Sequence, residues 1–290
     1  MTQVLFPHDP LNPRRVDGHF ADEARAVRER GGTVALLDHD ALLAGEATPA
    51  VARVPRGLGR AWYRGWMVPV DRYAELAAAL AERDVELVTS PERYGSAHQL
   101  PGWYEAFASV TPASRWLAHP PGEVPAEGEL ARLAAGLPAG PGIVKDWVKS
   151  RKHEWDHACY VPDLRSPAAL HRVVAELVAL QGEFLAGGVV LRAYEEFAGP
   201  EVRVWWRDGE PRLLTPHPDA EDPVTPAVPA PVLDQLAACV GESGGRFVTT
   251  DVVRRVDGAW RVVEVGDAQV SDRHRSVAPE ALAALLDEPA

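Results

Sequence analysis

Cysteine is almost absent: Cys159 and Cys239 are the only two in 290 residues, far apart and in no CxxC arrangement. That excludes a disulfide framework and a thiolate zinc site, and it fits a reducing, cytoplasmic location. Positive charge is scarce, with 30 Lys plus Arg against 42 Asp plus Glu and a net charge of −12. The bulk field repels a polyanion, so nucleic acid is not an expected partner. No segment approaches 18 uninterrupted apolar residues, and no basic stretch followed by an apolar core opens the chain. Neither a membrane partner nor export is therefore expected. The loop after the first apolar run is Pro7-His8-Asp9-Pro10-Leu11-Asn12-Pro13 rather than GxGxxG, which argues against a nicotinamide dinucleotide. The 26 prolines and 24 glycines are scattered, and no internal repeat is visible.

What is present begins with alternation. Val4-Leu5-Phe6 is a short strand stopped by Pro7, a helical pattern runs from Phe20 to Glu29, and Gly31-Gly32 leads into a strand at Thr33 to Leu37. A short helix from Asp38, an extended stretch Trp62 to Val70, a helix Tyr73 to Glu82 and a strand Glu86 to Thr89 follow. This order predicts a small parallel α/β lobe. His98 and Trp103 fall in an expected loop. Residues 118–142 are rich in Pro and Gly around one short helix, as in a connection between lobes.

Beyond that connection the pattern changes. Strands are expected at Gly142 to Lys145, Ala158 to Val161, Val189 to Arg192, Val202 to Trp206, Pro211 to Thr215, Phe247 to Val253 and Trp260 to Val265. Asp208-Gly209 signals a hairpin, Ser166-Pro167 opens an amphipathic helix to Leu185, and another helix lies within Pro231 to Val240. The fold class is thus α/β plus α+β, with domains at 1–117 and 118–290.

Three clusters bear on chemistry. Lys145 ends an apolar strand and precedes a loop with Lys149, Arg151 and Lys152, cations that could meet triphosphate oxygens; the alternative is a solvated basic turn. Arg192 and Arg203 lie on successive strands around an acidic turn, facing a common cleft or pairing with Glu195, Glu196 or Glu201. Asp251 and Glu264 sit on the two closing strands, where opposed carboxylates hold Mg²⁺ against phosphates or simply face solvent.

Taken in order, these residues resemble the ATP-grasp superfamily, and more narrowly the clade named for one arginine and two lysines. The stretches that carry the resemblance are Tyr63-Arg64-Gly65-Trp66-Met67, Lys145-Asp146-Trp147-Val148-Lys149-Ser150-Arg151-Lys152, Val190-Leu191-Arg192 and Val263-Glu264-Val265-Gly266-Asp267. The resemblance implies an N-terminal α/β lobe followed by an ATP-grasp fold of two α+β subdomains that hold ATP with Mg²⁺. It also implies carboxylate activation as an acyl phosphate that an amine captures, hence a C–N ligase acting on a small acid, amino acid or peptide. Lys145, Lys149 and Arg192 would then contact nucleotide, and the hinge through Glu195, Glu196 and Phe197 would meet the adenine edge. Arg203 would face the transferred phosphate, with Lys149 as its catalytic partner. Asp251 and Glu264 would bind metal. The superfamily often has Asn two positions after the glutamate; here Gly266 intervenes, and Asp267 is taken as the third ligand.

Phosphoryl transfer to a carboxylate joins two anions, so the site must neutralise charge and exclude water. Residues Asp146 to His157 are the expected lid. Arg64 is expected either to reach a substrate carboxylate or to pack inside its lobe with Trp66, and His8 and Asp9, after the first strand, are candidate substrate contacts. Two other functions share these features: a regulatory module that binds nucleotide without turnover, and a small-molecule phosphotransferase.

Overall fold

Residues 1–287 are described by the computed structural model, and among them thirteen strands fall into three sheets. They are β1 (Gln3–Asp9), β2 (Asn12–Val16), β3 (Thr33–Leu37), β4 (Gly59–Tyr63), β5 (Val85–Leu87), β6 (Ser114–Ala118) and β7 (Gly142–Asp146). The remainder are β8 (Tyr160–Val161), β9 (Gly188–Ala193), β10 (Val202–Arg207), β11 (Glu210–Pro216), β12 (Phe247–Arg254) and β13 (Trp260–Asp267). The chain forms two compact units, each discontinuous in sequence. The first contains Met1–Ala97, Pro200–Asp251 and the chain from Val265 onward; the second contains His98–Gly199 and Val252–Glu264. No helix among the described residues is long and apolar enough to cross a membrane.

In the first unit β3, β1, β4 and β5 run parallel, as the alternating pattern predicts. Successive residues of β1 point to opposite faces. Leu5 joins Tyr63, Leu76 and Leu80 under the helix Val70–Ala81, whereas Val4 and Phe6 join Trp62, Val27 and Leu282 beside the helix Ala21–Glu29. Pro7 does not stop the strand. It pairs in register with Leu37, and β4 has already ended opposite Leu5, so the missing N–H breaks no ladder bond. Its carbonyl accepts from Asp17 N at 2.9 Å, and β2, which the sequence pattern did not suggest, pairs antiparallel with the end of β1. β10 and β11 are joined through Asp208 (φ 51°) and Gly209 (φ 81°), both left-handed as a two-residue hairpin of the right twist requires.

In the second unit β6, β9, β7 and β8 form an antiparallel sheet in that order. The helix Pro167–Gln181 buries Leu170, Val173, Val174, Leu177 and Val178 against Val144, Val189 and Leu191. Each such side chain contributes about 1.5–3 kcal/mol. Packing therefore outweighs capping here: Ser166 occupies the N-cap position but its hydroxyl makes no cap bond. His98 and Trp103 lie in helices, Pro91–His98 and Leu100–Phe107, rather than in a loop. Leu100, Trp103, Tyr104 and Phe107 are buried at helical spacing, a period that Pro101 and Gly102 disguise in the sequence. Ala158 and Cys159 belong to a wide helical turn, Trp155–Cys159, so the expected strand is reduced to Tyr160–Val161. The third sheet has the order β11-β10-β12-β13; β12 and β13 change unit between Asp251 and Val252 and between Glu264 and Val265.

Candidate active site

The register of the second unit's sheet collects its cations. Ile143 pairs with Arg192 and Lys145 with Val190, so Lys145 and Arg192 project from the face opposite the Val144–Leu191 core. Lys145 is 6% exposed, and its Nζ donates to the Val148 carbonyl at 3.1 Å. Burial lowers its pKa to about 8; Glu264 opposes that shift, while Arg192 and Lys149 add to it. Arg192 donates from Nε to Ser114 Oγ (3.1 Å) and from Nη1 to the Val263 carbonyl (2.7 Å), with Trp103 5.8 Å beneath the guanidinium. Its Nη2 is buried without a hydrogen-bond partner, and burial brings its pKa down to about 10. Glu264 is half-buried and makes no hydrogen bond or ion pair among the described residues. His98 is kept neutral: burial first, then Lys149 and Lys145, push its pKa down to about 4.

Such a face suits a polyanion of small size. An orphaned buried Nη2 and a buried ammonium with one carbonyl acceptor are each costly unless a ligand completes them. Phosphate oxygens are acceptors of the kind the two cations lack, and Mg²⁺ needs only one or two protein carboxylates beside phosphate, which is the chemistry Glu264 offers.

The hinge after β9 is bound to the second unit's own chain. Glu195 receives Arg261 through Nε and Nη2, both at 2.8 Å, with Arg255 at 3.6 Å. The Glu196 carbonyl accepts from Val256 N at 3.1 Å, and Phe197 bridges to Arg255. Beside it Trp155 stacks on Tyr160, and Tyr194 meets both edge-on.

In the first unit Arg203 grips Asp251 with two bonds, Nε to Oδ1 at 2.8 Å and Nη2 to Oδ2 at 2.7 Å, and donates to the Asp272 carbonyl at 2.9 Å. His217 Nε2 lies 3.6 Å from Asp251 and 4.0 Å from Glu201, and ligand atoms of these three residues fall within 4.8 Å of one another. This is nevertheless a poor transition-metal centre. His217 Nδ1 accepts the Asp219 N–H at 3.2 Å, so in the neutral ring Nε2 carries the hydrogen and presents no lone pair toward the carboxylates.

The model of the ATP-grasp domain, family 3 of the clade named for one arginine and two lysines, matches residues 134–286, just over half of the chain. The chain belongs to that clade of ATP-grasp proteins. Among solved structures, this ATP-grasp chain resembles D-cycloserine synthetase DcsG at 18% identity, with a TM-score of 0.62 over 98% of this chain and 100% of that one. A RimK domain protein ATP-grasp from Sphaerobacter thermophilus DSM 20745 gives 16% identity and 0.61 over 98% and 99%. The ATP-grasp ligase PsnB, complexed with minimal precursor, Mg and ADP, gives 14% and 0.58 over 98% and 96%. These likenesses are of fold. No curated protein gives a significant match.

Within this ATP-grasp protein the sequence candidates divide into groups. Lys145, Lys149, Arg192 and Glu264 lie in the second unit, with Lys149 exposed on the turn after β7; Arg203 and Asp251 pair in the first. Asp267 is 1% exposed and accepts from Gln269 N (2.9 Å) and Nε2 (3.1 Å), capping the turn Ala268–Val270. Burial raises its pKa to about 7, against the pull of those bonds. Arg64 is wholly buried in a two-bond pair with Glu23 (2.7 and 3.1 Å) and on the Gln269 carbonyl, which is the packing alternative for this residue. His8 pairs with Asp38 at 3.3 Å; Asp9 Oδ1 accepts from Leu11 N and Asn12 N, making the β1–β2 turn. His98, Trp103 and Arg261 were not singled out as site residues, because no local motif marks a side chain that reaches a site through tertiary packing.

Proposed function

We propose that the protein is an ATP-dependent ligase that joins a carboxylate to an amine through an acyl phosphate. The observation that carries this reading is the unsatisfied charge of the second unit: Arg192 Nη2 without a partner, Lys145 buried on one carbonyl, and Glu264 unpaired beside them. Lys145, Lys149 and Arg192 would hold the triphosphate, and Glu264 would hold Mg²⁺; both oxygens of Asp251 are taken by Arg203. When bound, Mg-ATP supplies the phosphoryl group that converts the carboxylate oxygen into a leaving group. The chain's own part is to orient and neutralise. Lys145 and Arg192 offset phosphate charge from a low-dielectric face, where each hydrogen bond counts for more than in water. Arg203, held flat by Asp251, keeps its guanidinium in one orientation. The amine then attacks the acyl carbon, the C–N bond forms as the C–O bond to phosphate breaks, and the amine loses a proton.

PsnB is complexed with a precursor and DcsG is named for D-cycloserine, so peptides and small amino-acid-like acids both belong in the substrate screen. The test is ADP release across carboxylate and amine pairs, with the product identified by mass. Amine-dependent ADP and a condensed product are expected, and Glu264→Gln should abolish turnover while leaving the protein folded. A phosphorylated acceptor without condensation would show a phosphotransferase, and Mg-ATP binding without turnover on any pair would show a binding module; either result overturns ligation.

A further inference from the structure

The side chain that arranges the two lysines is Asp146, between them in sequence and 1% exposed. Its Oδ1 accepts two consecutive backbone donors, Val148 N at 2.6 Å and Lys149 N. Its Oδ2 accepts Gln181 Nε2 at 2.5 Å and lies 3.5 Å from Ala186 N. The backbone closes the same turn, with Asp146 N donating to the Lys149 carbonyl at 3.0 Å and Lys145 bridging antiparallel to Ser150. An aspartate that accepts the N–H groups two and three residues on forces the chain to fold back within four residues. Two consequences follow for the cations. The Val148 carbonyl is aimed at Lys145 Nζ, 3.1 Å away, and Lys149 is carried back beside the strand that holds Lys145.

We infer that Asp146 is the positioning residue of the phosphate-binding lysines, and that Gln181, through Oδ2, fixes that turn to the end of the helix Pro167–Gln181. This rests on the reading of Lys145 and Lys149 as nucleotide contacts. Asp146 would not touch nucleotide itself. A buried carboxylate with amide donors on both oxygens has no lone pair directed at a phosphate, and its negative charge would repel one. It acts by removing the conformational freedom of the turn before the ligand arrives.

The test uses the full chain, with backbone amide exchange in the absence of nucleotide and equilibrium binding of Mg-ATP. Exchange at Val148 and Lys149 should speed up at least tenfold in Asp146→Ala and return close to wild type in Asp146→Asn, whose oxygen still accepts both amides while Gln181 rotates its amide. Mg-ATP should bind at least tenfold more weakly to Asp146→Ala. Adding Asp146→Ala to the combined Lys145→Ala and Lys149→Ala variant should weaken binding less than threefold further, because the contacts that Asp146 positions are already gone. Losses that multiply in that triple variant, or wild-type affinity in Asp146→Ala, overturn the assignment. Since Asp146 is buried, Gln181→Leu serves as a milder variant; it should bind Mg-ATP severalfold more weakly, and wild-type affinity in that folded protein removes the link to the helix. If Lys145→Ala and Lys149→Ala both bind Mg-ATP like wild type, the nucleotide reading itself has failed, and the positioning role falls with it. The exchange data separate that case from a failure of the turn assignment.

Discussion

Replacing Lys145 with methionine should make the ligand-free protein more stable while removing its affinity for nucleotide. The buried ammonium has its pKa brought down from 10.5 to about 8, which corresponds to about 3 kcal/mol of unfavourable desolvation at neutral pH. Methionine keeps most of the side-chain volume without the charge. It forfeits the bond from Nζ to the Val148 carbonyl, worth about 1 kcal/mol, so the net gain is roughly 2 kcal/mol at pH 7. The sign of the pH dependence follows from the direction of the shift. Between about pH 8 and 10.5 the unfolded chain retains the proton that the folded protein has released, so wild-type stability rises through that window. The methionine variant lacks this rise, and the desolvation difference should fall below about 1 kcal/mol by pH 10. Urea denaturation at pH 7 and pH 10, with and without Mg-ATP, reads all of this. A variant less stable than wild type at pH 7, or a gain that does not shrink by pH 10, refutes the reasoning.

Arg64→Met should cost about 3–5 kcal/mol in urea denaturation, because the 3%-exposed Glu23 keeps only Arg273, at 3.2 Å; Glu23→Leu combined with Arg64→Met should cost less than Arg64→Met alone. Asp267→Asn should leave the Mg²⁺ dependence of nucleotide binding unchanged, since an asparagine oxygen can accept the same Gln269 donors; a tenfold change in the Mg²⁺ requirement would instead place Asp267 among the metal ligands. Gly188→Ala should destabilise by about 3 kcal/mol or more, seen as lost soluble yield or a lowered melting temperature. The glycine has φ 146°, and a Cβ there would sit 2.2 Å from the Leu117 carbonyl across the β6–β9 pair.

The regular parts of this fold are readable because their signals are local. Thr33 to Leu37 is a strand with the bounds that its apolar run suggests, and Asp208-Gly209 makes the hairpin that its residue types require. The helix after Ser166 is also where its period places it, although burial rather than the serine holds it. The hidden elements are those whose local cues conflict. Pro7 reads as a stop, yet its N–H is dispensable where β4 has ended; Pro101 and Gly102 read as breakers, yet they sit in the first turn of a helix whose buried face is intact. In the site, charge type was legible and partner choice was not. Lys145 beside Ile-Val announces a cation on a sheet, but nothing near Arg64 announces Glu23, 41 positions earlier, and nothing near Glu195 announces Arg261, 66 positions later.

The exchange of β12 and β13 between units has a consequence for biosynthesis. The cluster around Val4 and Phe6 includes Leu282 and Leu286, and the second unit waits for Val252–Glu264. A ribosome therefore makes the chain as far as Glu264 before either unit has all of its residues. Folding as units during synthesis is delayed until then. Truncations that end at or before Asp251 should accordingly yield no folded half, and a nascent chain stalled at Asp251 should bind chaperones with both units incomplete.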